Sequence, residues 1–428
     1  MSRRWDGLSE RRAAGLVLGV ALGVQALFLG ILPAEHRRLE STDFLSFYEP
    51  VARNIAAGEA WVAPDGTPAV RYPPGYPVFL ALVFSVDRLL PGDEAFWLLA
   101  AGLLVGGLGA AAHHVLCRRL IGPRGALVAS ALWLSYGPWL WLVKQPNSET
   151  VFLLPFFAAV AVFAGLRVEG PGAWRGAAAV GLGLGLATLL RPVTLLLPFG
   201  LAALWICGLV GGAARTARRL RMTAVLLGVY VSVVAPWEIW AHAQVGWWIP
   251  VSTGGRLSLL DGLTVAADSD GPRPEVPADV ARLMEAVQSN RPLIGGPVDA
   301  ARFLVAHAAP LTLAKLLWLK SSRAWYATES LRFETALARL QAVYLLAAVI
   351  GLVALYRAGP EYRAAFWLVL SITAYFWAMT VLVLSILRYM VPAMGLLVAA
   401  AAFPLGRGLT ALIPATKNDG ARACGPDC

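Results

Sequence analysis

The chain has 428 residues, 58% of them hydrophobic and 14% charged, with a formal charge of +10. A mean hydropathy of +0.64 and repeated apolar runs of about 20 residues exclude an ordinary soluble globular domain. The positive charge does not point to nucleic acid, because the arginines cluster in short segments between apolar runs, as orientation in a bilayer requires.

The first apolar run, from about Ala13 to Leu32, follows Arg3, Arg4, Arg11 and Arg12, and no small-x-small cleavage site comes after it. It is expected to be an uncleaved first span. Further candidates about 20 residues long begin near Glu94, Gly125, Thr150, Arg175, Pro192, Met222, Ala336, Ala364 and Tyr389, making about ten in all. With the N-terminus in the cytoplasm, the inner segments contain Arg118, Arg119 and Arg124, then Arg167 and Arg175, then Arg215, Arg218, Arg219 and Arg221, then Arg357 and Arg363, and finally Arg407. Every turn then obeys the positive-inside rule.

That count decides the segment between the first two spans. Were Gly75 to Leu90 a span, the arginine clusters would all change sides, so it is expected to stay outside as an interfacial helix. Its apolar positions Val78, Phe79, Leu82, Val83, Val86 and Leu90 follow helical spacing, with Pro91-Gly92 as a stop. A second surface helix precedes it: Phe47, Val51 and Ile55 share a face, Ser46 and Glu49 are spaced as a capping box, and Gly58 suits a C-terminal stop. Small residues at Gly15, Gly19 and Gly23, at Gly102 and Gly106, and at Gly181 and Gly185 suggest close helix packing.

The other large segment off the membrane runs from about 241 to 332, with loop chemistry (TGG, DSDGPRP, IGGP) followed by helical patterns. The expected organisation is a first bundle over 1–240 with surface helices at 44–90, an outer helical region over 241–332, further spans over 333–410 and a cytoplasmic tail over 411–428. Cys424 and Cys428 in that tail have neither redox nor zinc spacing, and Cys117 and Cys207 complete no disulfide framework.

The topology places Asp43, Arg71, Lys144, Glu149, Arg191, His242 and Arg388 at one face. Ionisable groups near membrane depth are costly, and they either pair with one another or serve function. Arg191 in LLRPVT and Arg388 in LSILRYMVP each sit at a span end. Alone, each could snorkel to the interface or pair with Glu149. Trp247, Trp248, Trp318 and Trp325 are belt anchors or stacking platforms.

Taken in order, TDFLSFYEPVARNIAAG, RYPPGYPVFLAL, CRRLIGPRGALVAS, KQPNSETVFLLPFF, GLATLLRPVTLLLPF, HAAPLTLAKLLWLK and ILRYMVPAMGLLVAA resemble the GT-C membrane glycosyltransferases, in the bacterial branch akin to protein O-mannosyltransferases and aminoarabinose transferases. The resemblance implies an all-α polytopic fold and transfer of a sugar, with inversion, from a polyprenyl-phosphate donor to an extracytoplasmic acceptor at the plasma or inner membrane. It makes Asp43 the catalytic base and Glu149 the second acidic position, which in relatives orients the acceptor or holds a divalent metal. Chemically, a carboxylate in reach of an acceptor hydroxyl or amine can take its proton as it attacks; the competing role for Asp43 is a helix N-cap. The departing phosphate needs cations, for which Arg71, Arg191 and Arg388 are the candidates, with Lys144 behind them. Tyr72, Tyr76, His242, Trp247 and Trp248 are candidates to line the substrate. The aminoarabinose transferases carry Lys directly before the paired prolines; this chain has Tyr72 there and Arg71 one place earlier. A secondary transporter or lipid flippase is the competing class, with an inactive GT-C-like scaffold as a third reading. Transporters favour ionisable groups at mid-membrane and inverted repeats, neither of which this sequence shows.

Overall fold

The computed structural model describes residues 9–33, 43–144, 146–264 and 276–412. Ser41, Thr42, the DSDGPRP loop, Cys424 and Cys428 lie outside them. The described chain is helical throughout: α1 Glu10–Ile31, a π-type turn Phe44–Tyr48, α2 Glu49–Ala57, α3 Gly75–Leu89, α4 Glu94–Leu134, α5 Gly137–Lys144, α6 Ser148–Gly165, α7 Ala173–Leu190, a 3-10 turn Pro192–Thr194, α8 Leu197–Ile206 and α9 Thr216–Val245. After these come α10 Gly254–Thr264, α11 Ala278–Ser289, α12 Pro297–His307, α13 Pro310–Arg323, α14 Glu334–Arg357, α15 Pro360–Leu382 and α16 Leu387–Leu412.

Eight of these helices are long and apolar enough to cross a membrane: α1, α4, α6, α7, α9, α14, α15 and α16. The expected candidates near Glu94 and Gly125 are two helices within α4, which folds back on itself at Gly122 (φ 78, ψ 174) ahead of Pro123: His114 Nδ1 lies 2.8 Å from Ser130 Oγ, and His113 stacks on Trp133 at 4.9 Å. Only glycine takes that conformation without strain. The candidate near Pro192 is a short apolar helix ending at Ile206.

α16 is the axis of the bundle: 83% of its apolar stretch is buried, against 17% for α1 and for α14. It packs against α4, α14 and α15, while α4 also meets α1 and α6, and α7 lies between α6 and α9. Backbones approach closely where glycine allows it, as at Gly181 against the Leu226 carbonyl and Gly351 against the Ala400 carbonyl. Gly15, Gly19 and Gly23 behave differently from expectation. They have nothing within 4 Å, because α1 turns Ala13, Val17, Ala21 and Gln25 inward instead.

α2 and α3 form the predicted pair after the first span. At 15 residues, α3 reaches about 22 Å, short of the about 30 Å of hydrocarbon. It packs on α2, α4 and α8's neighbour α7. Gly58 takes φ 74 and closes α2 as expected. The capping box does not form. Ser46 lies inside the π-type turn that runs straight into α2, and the Glu49 carboxylate turns to Arg53 instead, at 2.7 Å. The region between α9 and α14 has its own small core of Leu259, Leu260, Leu263, Val280, Leu283, Val287 and Leu316. It is joined to the first loop by hydrogen bonds from Thr253 N to Val70 O and from Gly254 N to Arg71 O, each 3.0 Å.

Candidate functional site

Four chain breaks meet at one end of the bundle. Pro192 disfavours helical backbone at the residue before it, so α7 stops at Arg191 in an extended conformation (φ −147, ψ 123). Its guanidinium is thereby free to turn inward. Asn147 caps α6 by accepting from Thr150 N at 3.1 Å, which places Glu149 in the first turn. α15 ends at Leu382, and a short link leads to Arg388 at the start of α16. Asp43 opens the π-type turn.

These breaks assemble a buried charge cluster. Arg191 Nη1 lies 2.6 Å from Glu149 Oε1 and donates to Ser148 Oγ at 3.0 Å. Arg388 approaches the same carboxylate oxygen with Nε at 3.4 Å, while its Nη2 meets Glu329 Oε1 at 2.7 Å. The two guanidiniums thus share one oxygen of the buried Glu149 carboxylate. Both guanidiniums lie over the Tyr389 ring, at 4.9 and 5.3 Å from its centroid. A cavity of about 10 Å³, roughly the room for one water, opens between Glu149, Arg191, Arg388 and Tyr389.

A second, carboxylate–phenol pair lies beside the first. Asp43 does not cap its helix. Instead its Oδ1 accepts from the Tyr72 hydroxyl at 2.8 Å, and its charge is felt at Arg388. Burial first, then the charge of Asp43 and the hydrogen bond to it, push the Tyr72 phenol well above its ordinary value, so Tyr72 remains a donor. Tyr48 packs between Tyr72 and Tyr76 at 4.9 and 4.8 Å, with its hydroxyl close to Ser148 and in the field of Arg191 and Glu149. The tyrosines reach this corner because Gly75 lets α3 touch the end of α7. A Cβ at that position would stand 2.7 Å from the Leu189 carbonyl.

The structure thus brings Asp43, Glu149, Arg191, Arg388, Tyr72 and Tyr76 together. Arg71 is exposed beside the pair, its guanidinium 5.3 Å from the Tyr72 ring. Lys144 is buried but lies over Trp141 at 4.0 Å, and no contact among the described residues joins it to the Glu149 cluster. His242 stacks on Trp248 at 4.4 Å at the end of α9, where Trp247 and Trp248 are exposed. Tyr48, Ser148 and Tyr389 adjoin residues that sequence reasoning had singled out, and adjacency to Asp43, Glu149 and Arg388 was the available signal. Glu329 carried no such signal, since it lies in a polar link far along the chain. Glu149 is not set up as a metal ligand. Two guanidiniums at its Oε1 repel a dication, and among the described residues no three His, Cys, Asp or Glu side chains converge as a metal site.

No protein-family model and no curated protein sequence matches the chain. Solved structures do. The archaeal oligosaccharyltransferase AglB from Archaeoglobus fulgidus, in complex with an inhibitory peptide and a dolichol-phosphate, matches with a TM-score of 0.58 at 13% identity, over 95% of this chain and 52% of that one. The Archaeoglobus fulgidus oligosaccharyltransferase tethered to an acceptor peptide matches with a TM-score of 0.59 at 14% identity, over 92% and 49%. ArnT from Cupriavidus metallidurans, bound to undecaprenyl phosphate, has a TM-score of only 0.42 at 18% identity, over 92% and 78%, and no conclusion rests on it. The chain spans about half the length of the oligosaccharyltransferases it matches. The architecture is therefore that of the GT-C fold, an all-helical multi-pass membrane protein.

Proposed function

We propose that the chain is an integral membrane glycosyltransferase that moves a sugar from a polyprenyl-phosphate-linked donor to an acceptor on the extracytoplasmic face. The observation that carries this is the pairing, at one end of the bundle, of two part-buried guanidiniums with a nearby carboxylate that, among the described residues, is engaged by a phenol. Arg191 and Arg388 offer planar, permanently charged donors matched to a phosphate, and one matched oligosaccharyltransferase structure is a complex with a dolichol-phosphate.

In the proposed reaction the acceptor O–H or N–H attacks the anomeric carbon as Asp43 takes its proton. The bond from that carbon to the phosphate oxygen breaks, and its electron pair leaves with the polyprenyl phosphate. One displacement inverts the anomeric centre. Tyr72 holds the Asp43 carboxylate toward the site through its 2.8 Å hydrogen bond. Glu149 keeps both guanidiniums in place before the donor arrives.

The test is incubation of purified protein with a panel of radiolabelled polyprenyl-phosphate sugars. Asp43→Asn is expected to lower transfer by about 10²- to 10⁴-fold, the usual span for a lost general base. Equal transfer by both proteins would remove Asp43 from that role. No turnover on the panel together with lipid or solute movement in liposomes would instead favour a transporter.

A further inference from the structure

Arg388 has two carboxylate partners of opposite character. Glu149 is 8% exposed, belongs to the first turn of α6 and is shared with Arg191. Glu329 is 57% exposed and reaches Arg388 Nη2 from the link between α13 and α14. The backbone of that link is fixed at several points. Arg323 and Glu334 form a bidentate pair of 3.0 and 2.9 Å, Thr328 N donates to Glu334 Oε1 at 2.9 Å, and Leu387 N donates to Ala327 O at 2.9 Å. The Glu329 side chain is free to turn into solvent while the link stays in place.

Charge balance gives this arrangement a consequence. Arg191, Arg388, Glu149 and Glu329 sum to zero, and Asp43 adds a further negative charge nearby. An arriving phosphate meets no net attraction from such a group, and the guanidinium edge it needs is already occupied. Expelling Glu149 would strand buried charge, which is the costly way to open a site. Turning Glu329 outward returns an already exposed carboxylate to water and leaves Arg388 paired with Glu149, which costs less than expelling the buried Glu149.

We propose that Glu329 is an exchangeable counter-ion: its carboxylate holds Arg388 Nη2 in the resting protein, yields it to a phosphate oxygen of the lipid donor, and returns as the polyprenyl phosphate leaves. Glu149 is then the permanent counter-ion and Glu329 the temporary one. This rests on the donor site described under the proposed function. It makes Glu329 a positioning residue that tunes donor affinity and product release by competition, with no part in bond making.

The test is binding of a fluorescent short-chain isoprenyl phosphate to the full chain in detergent, at low and moderate salt. Glu329→Gln and Glu329→Ala are each expected to bind about two- to five-fold tighter than the native protein, the size expected on removing one exposed competing pair. Their affinity is expected to fall more steeply with salt, because the cluster then carries more net positive charge. Arg388→Ala is expected to lose binding. If Arg388→Ala loses binding but both Glu329 variants bind equally or more weakly, the counter-ion role is wrong and the donor site stands. If the native protein binds no isoprenyl phosphate, or Arg388→Ala binds as well as native, the donor site itself falls and the counter-ion role with it.

Discussion

At the scale of single residues, Glu149 is the group on which the site's electrostatics turn. It is buried against two guanidiniums, and removing one member of such a cluster leaves uncompensated charge behind. Glu149→Gln is therefore expected to destabilise the protein by about 3–5 kcal/mol, read as a lower Tm in detergent. The double variant Glu149→Gln with Arg191→Gln is expected to recover part of that loss, since it removes charge of both signs. A double variant no more stable than Glu149→Gln would show that the pair is not energetically coupled. Asp43 differs. Among the described residues its carboxylate is held by one hydroxyl, so its substitution is expected to be read in turnover before it is read in stability.

At the scale of elements, the link between α15 and α16 is one of the connections between the region of α10 to α13 and the site. Lys320 on α13 is buried, and its Nζ donates to the carbonyls of Gly262 on α10 (2.8 Å) and Val383 in the link (3.2 Å). Gly262 makes the approach feasible, because a Cβ there would overlap the Val383 carbonyl. Burial lowers the Lys320 ammonium to about 7. The unfolded chain holds the same group charged up to about 10.4. Between about pH 7 and 10 the unfolded state thus binds more protons, so the docking of α10 and α13 onto the link is expected to strengthen as pH rises. Hydrogen exchange of 254–264 at pH 7 and 9 checks this, and Lys320→Met is expected to flatten the difference. An equal pH dependence in that variant would assign it to another group.

Also at this scale, the helices themselves were largely legible. Apolar length located the spans, Gly58 located a helix end, and Pro192 located the break at Arg191. The failure was local: a small-residue pattern on α1 could not say which face would find a neighbour.

At the scale of the whole molecule, the two ends of the bundle are chemically distinct. Asp43, Glu149, Arg191 and Arg388 gather at one, while Arg119 pairs with Glu10 at the start of α1 and donates to Ala161 O near the far end of α6. In the proposed topology the first end faces outward. Cysteine labelling of intact cells tests it in a Cys424→Ser, Cys428→Ser background. Asp65→Cys, on the exposed turn of the first loop, is expected to react from outside, and the exposed native Cys207 only after permeabilisation. Reaction of both from the same side would overturn the sidedness.

What the sequence by itself determined is the membrane character, the run of helices, the break points and the choice of Asp43, Arg191 and Arg388 as residues to watch. Those follow from hydropathy, proline and glycine stereochemistry and the cost of charge near lipid, all of which are written in local order. What only the tertiary structure decided is pairing: that Glu149 serves two guanidiniums, that Asp43 faces a phenol instead of its own helix end, that Lys144 lies apart, and that Glu329 closes the cluster. Those depend on which helix ends meet. Meeting is settled by close approaches such as Gly75 against Leu189, between residues more than a hundred positions apart, which no local pattern specifies.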